Sequence, residues 1–291
     1  MSLLRAECLT CMGDRYPKRY PRDAEEGKIL DYVRRTLGVL ANATDDMAGP
    51  VLVRDINDIH EEIFGDRFVY TEVKSKFNHL IMKEENACWD KILTASDPLL
   101  LAIQYAVTGN LIGFGIFSDV KEEDVSSAIE KAPFLAIDDK EFASLKQELS
   151  KEKSLLYLTD NCGEVVMDKL LIRLLKRLYP HLSITVMVRG AEVLNDATMV
   201  DAKEIGLTEE VKVITNGNNV AGTWIPELSS EAKKALFSAD LILSKGQANL
   251  ETLRATELKI YFLFLCKCQM LADEYKVPRL SARLIRNPLA M

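Results

Sequence analysis

The stretch LLYLTDNCGEVVMDKLLIRLLKRLYPHLSITVMVRG, residues 155–190, decides the fold class. Its outer segments, LLYLT (155–159) and ITVMV (184–188), are short apolar runs with the aromatic and β-branched residues that suit strands. Between them, VVMDKLLIRLLKRLY (165–179) places Val166, Leu170, Leu171, Leu174 and Leu178 on one helical stripe. Further apolar runs follow at VKVIT (211–215), LILS (241–244) and IYFLFL (260–265), separated by amphipathic helical stretches. Near-continuous apolar strands alternating with helices predict an α/β fold whose parallel sheet is covered on both faces.

Upstream the texture changes. Glu25–Leu40 carries Ile29, Tyr32, Val33, Leu37 and Leu40 at spacings of three and four. Val51–Phe64 repeats the pattern through Val53, Ile56, Ile59, Ile63 and Phe64, with Asp55, Asp58, Glu61 and Glu62 on the other face. Residues 69–95 are again helical in pattern, and Asp97-Pro98 signals a fresh start, with Asp as N-cap and Pro at the first helical position. Residues 1–150 are therefore expected to form a helical N-terminal region and residues 151–291 an α/β domain. The charged segment KEFASLKQELSKEKS (140–154) reads as a solvated helix or connector between them.

The uncharged run 99–117 reaches the length of a membrane span. Gln104, Thr108 and Asn110, with glycines at 109, 113 and 115, suit instead a buried helix followed by a polar turn, and no membrane association is expected. The 291 residues are 48% apolar and 28% charged, which excludes disorder as the main state. With 37 Lys and Arg against 44 Asp and Glu, the net charge is −7. That balance argues against a nucleic-acid binder relying on phosphate neutralisation. No long apolar segment opens the N-terminus, so a cytoplasmic protein is expected, with its six cysteines as free thiols or metal ligands.

In open parallel sheets, ligands bind beyond the carboxyl ends of the strands. Those positions here hold Asp160-Asn161-Cys162-Gly163-Glu164, Arg189-Gly190 followed by Asn195-Asp196, Asn216-Gly217, Lys245-Gly246 followed by Asn249, and Cys266-Lys267-Cys268. Asp160, Asn161 and Asp196 offer hard oxygen ligands suited to Mg²⁺ or Mn²⁺. Lys245 and Lys267 are cations, and Gly246 lets backbone approach an anion. A hard metal beside lysines is a layout for phosphoryl chemistry.

Other chemistries lack their residues. There is no G-x-x-x-x-G-K-[ST] and no G-x-G-x-x-G, and His60, His79 and His181 follow no metal-motif spacing. Cys162 has no histidine nearby in sequence to activate it, so it reads as a small packing residue. Cys8-x-x-Cys11 is half of a second metal site or a redox pair, and Cys266 and Cys268 would complete four sulfur ligands if the termini met.

The motifs D-N-C-G-E (160–164), V-R-G (188–190), N-D-A-T (195–198), N-G (216–217) and K-G-Q-A-N-L-E (245–251), with G-N at 109–110, occur in the order seen in the damage-control phosphatases. The chain resembles that family over most of its length, and its C-x-x-C at 8–11 looks like the cysteine-bearing subfamily. The resemblance implies a three-layer, Rossmann-like α/β/α sandwich with an associated helical region. It further implies metal-dependent hydrolysis of phosphate esters on small metabolites, with Mn²⁺, Co²⁺, Ni²⁺ or Mg²⁺. By that likeness Asp160, Asn161 and Asp196 match metal-ligand positions, and Glu164, Asn249 and Lys267 fall near substrate or phosphate contacts. Arg189, Asn216, Lys245, Gly246 and Asn110 complete the candidate phosphate pocket, and Glu164 would orient water or a substrate hydroxyl. One departure stands out: the family's G-N-x-x-D ends here on Gly113, so its acidic position is lost. Two rival functions share the fold class. A phosphometabolite- or nucleotide-binding module would have the anion pocket without turnover. An S-adenosylmethionine-dependent methyltransferase would need a glycine-rich turn that is absent.

Overall fold

Helical periodicity carries through the first 150 residues. The structure, a computed structural model, describes residues 3–65, 70–114 and 121–290, with 111–114 as backbone alone. α1 (Ala6–Arg15), α2 (Glu26–Ala41) and α3 (Gly49–Phe64) gather Met12, Tyr32, Leu40, Leu52 and Ile56 into one apolar cluster. The helical pattern of residues 69–95 corresponds to two helices, α4 (Thr71–Met82) and α5 (Glu85–Thr94). α6 (Pro98–Phe114) starts at the Asp97-Pro98 signal, where Asp97 Oδ1 accepts the Leu100 N–H at 3.1 Å.

α6 continues through Gly109 and Asn110 to Phe114, and the glycine at 115, where a polar turn was expected to follow the helix, lies outside the described residues. Ala102, Ile103, Ala106 and Val107 are buried, so the helix is apolar because it is packed within protein. Among the described residues no helix is long and apolar enough to cross a membrane. α7 (Glu122–Lys131) and α8 (Asp139–Lys151) follow. α8 occupies the charged 140–154 segment, yet Phe142, Leu145 and Leu149 are buried, so one of its faces belongs to the core.

From β1 (Ser154–Leu158) onward, alternation builds two faces. The chain continues through α9 (Glu164–Leu178), β2 (Ser183–Val188), α10 (Met199–Glu204), α11 (Leu207–Glu210) and β3 (Lys212–Thr215). It ends with α12 (Ser230–Ser238), β4 (Leu241–Lys245), α13 (Gln247–Leu253), β5 (Ile260–Leu265), α14 (Gln269–Glu274) and β6 (Ala282–Arg286). The sheet order is β3-β2-β1-β4-β5-β6. β1 to β5 pair in parallel, as expected, and β6 runs antiparallel to β5. β6 has no counterpart among the predicted strands. Its sequence ARLIR carries two arginines, and an edge strand needs no continuous apolar run.

Leu155, Tyr157, Val186, Leu241 and Leu243 point to one face, where α9 and helices α4 to α8 of the first 150 residues share their core. Leu156, Leu158, Met187, Ile242 and Phe262 point to the other, under α12, α13 and α14. Helices on both sides of a mixed sheet make the expected α/β/α sandwich, and its first layer is largely built by the N-terminal helices.

Candidate active site

The strand order reverses between β1 and β4, since β2 and β3 lie on one side of β1 and β4 to β6 on the other. A crevice opens beyond the carboxyl ends at such a switch point. Thr159 to Gly163 cross it from β1 to α9. Gly246, at the end of β4, has φ 80°, and a Cβ there would collide with the Asp160 carboxylate. On the other side α6 approaches closely at Gly109, where a Cβ would lie 2.7 Å from Glu164 Cα. That contact delivers Asn110 into the crevice.

Amides and carboxylates interlock there. Asn110 Nδ2 donates to Asp160 Oδ2 at 2.7 Å and to Glu164 Oε2 at 2.8 Å. Asn161 Nδ2 donates to the same two oxygens at 2.7 and 2.9 Å. The second loop is tied in through backbone: Ala197 N donates to Asp160 O, and Cys162 N to Asn195 O, both at 2.8 Å. Arg189 Nε donates to Asp196 Oδ2 at 2.6 Å and Nη2 to Thr159 O at 3.1 Å, with Nη2 4.0 Å from Asp160 Oδ1. Asp160, Asn161, Glu164, Arg189 and Asp196 are all buried. Among the described residues, buried atoms here without a hydrogen-bond partner include Asn110 Oδ1 and Arg189 Nη1, and Asp168 Oδ2 behind them. Each such group carries a desolvation cost of about 1–3 kcal/mol until a partner arrives.

Charge is unevenly held. Burial pushes Asp160 up to about 7, the negative charges of Glu164 and Asp196 add to the rise, and Lys267 and Arg189 partly oppose it. Burial also raises Asp196, against the pull of Arg189. Glu164 moves the other way: burial would raise it, but Lys245 and Asn110 outweigh that, and it is held below the usual carboxylate range. Lys245 Nζ donates to Glu164 Oε1 at 2.7 Å, Asp168 Oδ1 at 2.6 Å and Ala106 O at 2.9 Å. Tyr157 Oη donates to the same Asp168 oxygen at 2.6 Å.

The structure therefore brings together Asn110, Asp160, Asn161, Glu164, Arg189, Asp196 and Gly246. Lys267, beyond β5, is near enough that its charge acts on Asp160, Glu164 and Asp196. Lys245 departs from its expected place as a phosphate holder: it is fully buried and all three of its donor bonds end inside the protein. Asn249 differs likewise, because its Nδ2 donates to Thr159 O and Lys245 O and its Oδ1 accepts from Thr223 Oγ1. Asn216 braces a loop: its Oδ1 accepts from Gly190 N and Asn218 N, and its Nδ2 donates to Gly222 O. Gly113, at the lost acidic position, lies in the stretch described as backbone alone.

Cys8 and Cys11 sit on α1, within electrostatic reach of Cys268. Cys266 is buried under the second face of the sheet. Burial raises Cys8, and the charges of Glu251 and Cys268 add to that. Asp168 and Tyr157 were missed as partners of the cluster. The available signal was an acid four residues after Glu164, inside an apolar helical stretch.

A doubly wound α/β sheet with carboxylates, amides and an arginine gathered at its switch point defines the class, a strand-end site for a small charged ligand. Residues 4–282 match the family described as Damage-control phosphatase ARMT1-like domain, and the chain belongs to that family. It is 29% identical over 293 residues to a damage-control phosphatase of Pyrococcus horikoshii, with 97% of both chains covered. It is 32% identical over 281 residues to a damage-control phosphatase of Archaeoglobus fulgidus, covering 93% of this chain and 94% of that one. The crystal structure of a DUF89 family protein from Pyrococcus horikoshii superposes with a TM-score of 0.81 at 27% identity, over 99% of each chain.

The residues present fit a hard divalent cation. Asp160 and Asp196 engage Oδ2 in the contacts above, Asn110 Oδ1 is without a partner, and Asn161 commits its amide nitrogen rather than its oxygen to the carboxylates. An oxygen-only donor set suits Mg²⁺ or Mn²⁺. Two outcomes follow. Lys245→Met leaves Glu164 and Asp168 buried without their cation, and thermal unfolding should show a loss of about 3–5 kcal/mol. Burial holds Asp160 up near 7, and a carboxylate must lose its proton before it can bind a cation, so any Mn²⁺ affinity of this site should rise with pH up to that point. Titrations followed by electron paramagnetic resonance should show up to about tenfold tighter binding per pH unit below 7 and a plateau above.

Proposed function

We propose that the protein is a divalent-metal-dependent phosphatase, a phosphate-monoester hydrolase acting on small phosphorylated metabolites such as sugar phosphates. The proposal includes Mn²⁺, Co²⁺, Ni²⁺ or Mg²⁺ as the cation, a role in metabolite damage control, a cytoplasmic location, and membership of the cysteine-bearing subfamily on the strength of Cys8 and Cys11. The observation that carries it is the pair of unpartnered buried atoms flanking Asp160, the acceptor Asn110 Oδ1 and the donor Arg189 Nη1. An unmet acceptor calls for a cation and an unmet donor for an anion, and a metal with a phosphoryl group supplies both. Family membership and two relatives named damage-control phosphatases support the same reading.

In this reading Asp160, Asn161 and Asp196 would hold the metal, and the unpartnered Asn110 Oδ1 would be available as a further oxygen donor. When bound, such a cation polarises a phosphoryl oxygen and activates the attacking oxygen nucleophile. Glu164 differs from the expected orienter of water or a substrate hydroxyl, because it is fully buried with both oxygens occupied by protein donors, and it acts on the amides instead. Its Oε2 accepts from both Asn110 and Asn161, which turns their oxygens away from it. Lys245 keeps Glu164 ionised, and Asp168 holds the Lys245 ammonium in place. Arg189 Nη1 and Lys267 neutralise the phosphoryl oxygens as charge develops. Asn216 and Asn249 hold the surrounding backbone.

The test is phosphate release from an aryl phosphate by metal-stripped protein, with each divalent ion added back. Activity should return with metal, fall about 10³-fold or more in Asp160→Ala and Asp196→Ala, and fall about 10–150-fold in kcat/KM in Lys267→Ala. Folded protein that binds a sugar phosphate but releases no phosphate with any metal would instead establish a binding module.

A further inference from the structure

The oxygens assigned to the cation come from two irregular segments. Asp160 and Asn161 follow β1, and Asp196 follows β2. A hard cation tolerates little error in ligand spacing, so something must fix one segment against the other. Backbone bonds between the loops do part of this. Arg189 adds to them by donating to both Asp196 Oδ2 and Thr159 O, and a further tie comes from a helix far away in sequence.

α4 lies across both segments, and Asn78 on it is completely buried. Its Oδ1 accepts the Gly163 N–H at 2.6 Å, in the turn that joins Asn161 to Glu164. Its Nδ2 donates to Asp201 Oδ1 at 3.0 Å and to Glu204 Oε2 at 2.6 Å, both on α10. Asp201 in turn accepts Thr198 N and Thr198 Oγ1 through Oδ2, both at 2.8 Å, two residues after Asp196. One helical turn before Asn78, Lys74 is 2.8 Å from Asp201 Oδ2 and 2.9 Å from Glu192 Oε2, so the buried carboxylate is neutralised. One amide thus accepts from the first segment and donates toward the second. An aspartate in its place would set a third carboxylate against Asp201 and Glu204. An alanine would leave the Gly163 N–H and the α10 carboxylates without these bonds.

We propose that Asn78 is a positioning residue for the cation site, setting the Asp160–Asn161 segment against the Asp196 segment, and that α4 thereby gives the N-terminal helices a part in metal affinity. The proposal rests on the metal-dependent reading above. Supporting contacts around metal ligands characteristically change affinity by 10–100-fold.

The experiment compares wild type, Asn78→Ala, the milder Asn78→Ser, and Ile81→Val, a buried core change on the same helix with no polar link to either loop. Mn²⁺ binding is read directly by electron paramagnetic resonance, alongside melting temperature and kcat at saturating Mn²⁺. Asn78→Ala and Asn78→Ser should weaken Mn²⁺ binding tenfold or more, with kcat at saturation within about threefold of wild type. Ile81→Val should lower the melting temperature and leave Mn²⁺ affinity unchanged. Folded Asn78→Ser with wild-type affinity would overturn the proposal, as would an equal loss of affinity in Ile81→Val. Absence of Mn²⁺ binding by the wild type overturns the metal reading itself, and that isotherm reports on it independently of the variants.

Discussion

A carboxylate with no access to solvent stays ionised only if the protein supplies its counter-charge and its hydrogen bonds. Glu164 is that group here. Lys245 meets one of its oxygens, and Asn110 and Asn161 meet the other. The rest of the site follows from this arrangement. Because each amide donates its Nδ2 to the buried carboxylate, each presents its oxygen in another direction. Asp160, which takes the same two donors, is pinned beside them. Lys245 therefore serves inside rather than at the pocket wall, where its charge fixes Glu164 and, through it, the amides of Asn110 and Asn161.

The sandwich exists in the form that this ion pair requires. α6 must come close enough to α9 for Ala106 O to accept from Lys245 and for Asn110 to reach Glu164. Gly109 permits that approach, and the apolar core shared by α6, α9 and the sheet holds it. α4 fastens the turn after Asn161 to α10, which follows Asp196. The first 150 residues thus do two things at once. They cover one face of the sheet, and they carry polar side chains that the strand ends alone do not provide.

Much of this was legible in local sequence. Strand alternation placed the β1 to β5 segments, Asp97-Pro98 marked the start of α6, and the strand-end rule brought Asp160, Asn161, Arg189 and Asp196 together. Lys245 could have been placed by parity: Leu241 and Leu243 face α9, so Lys245 does too. Asn216 and Asn249 were harder, because an asparagine after a strand serves backbone or ligand equally well, and the choice is made by partners distant in sequence. Asn78 and Lys74 carried no local signal, since their partners on α10 lie more than a hundred residues away. β6 was hidden by its arginines, and the length of α6 by the glycine and asparagine that its packing accommodates.

The most direct measurement is a crystal structure of protein soaked in Mn²⁺ and a phosphate analogue, with the metal located by anomalous scattering. The account predicts one strong peak about 2.1 Å from oxygens of Asp160, Asn161 and Asp196. It also predicts the analogue within hydrogen-bonding distance of Arg189 Nη1. A principal peak among the thiols of Cys8, Cys11 and Cys268, with none at the aspartates, would contradict it.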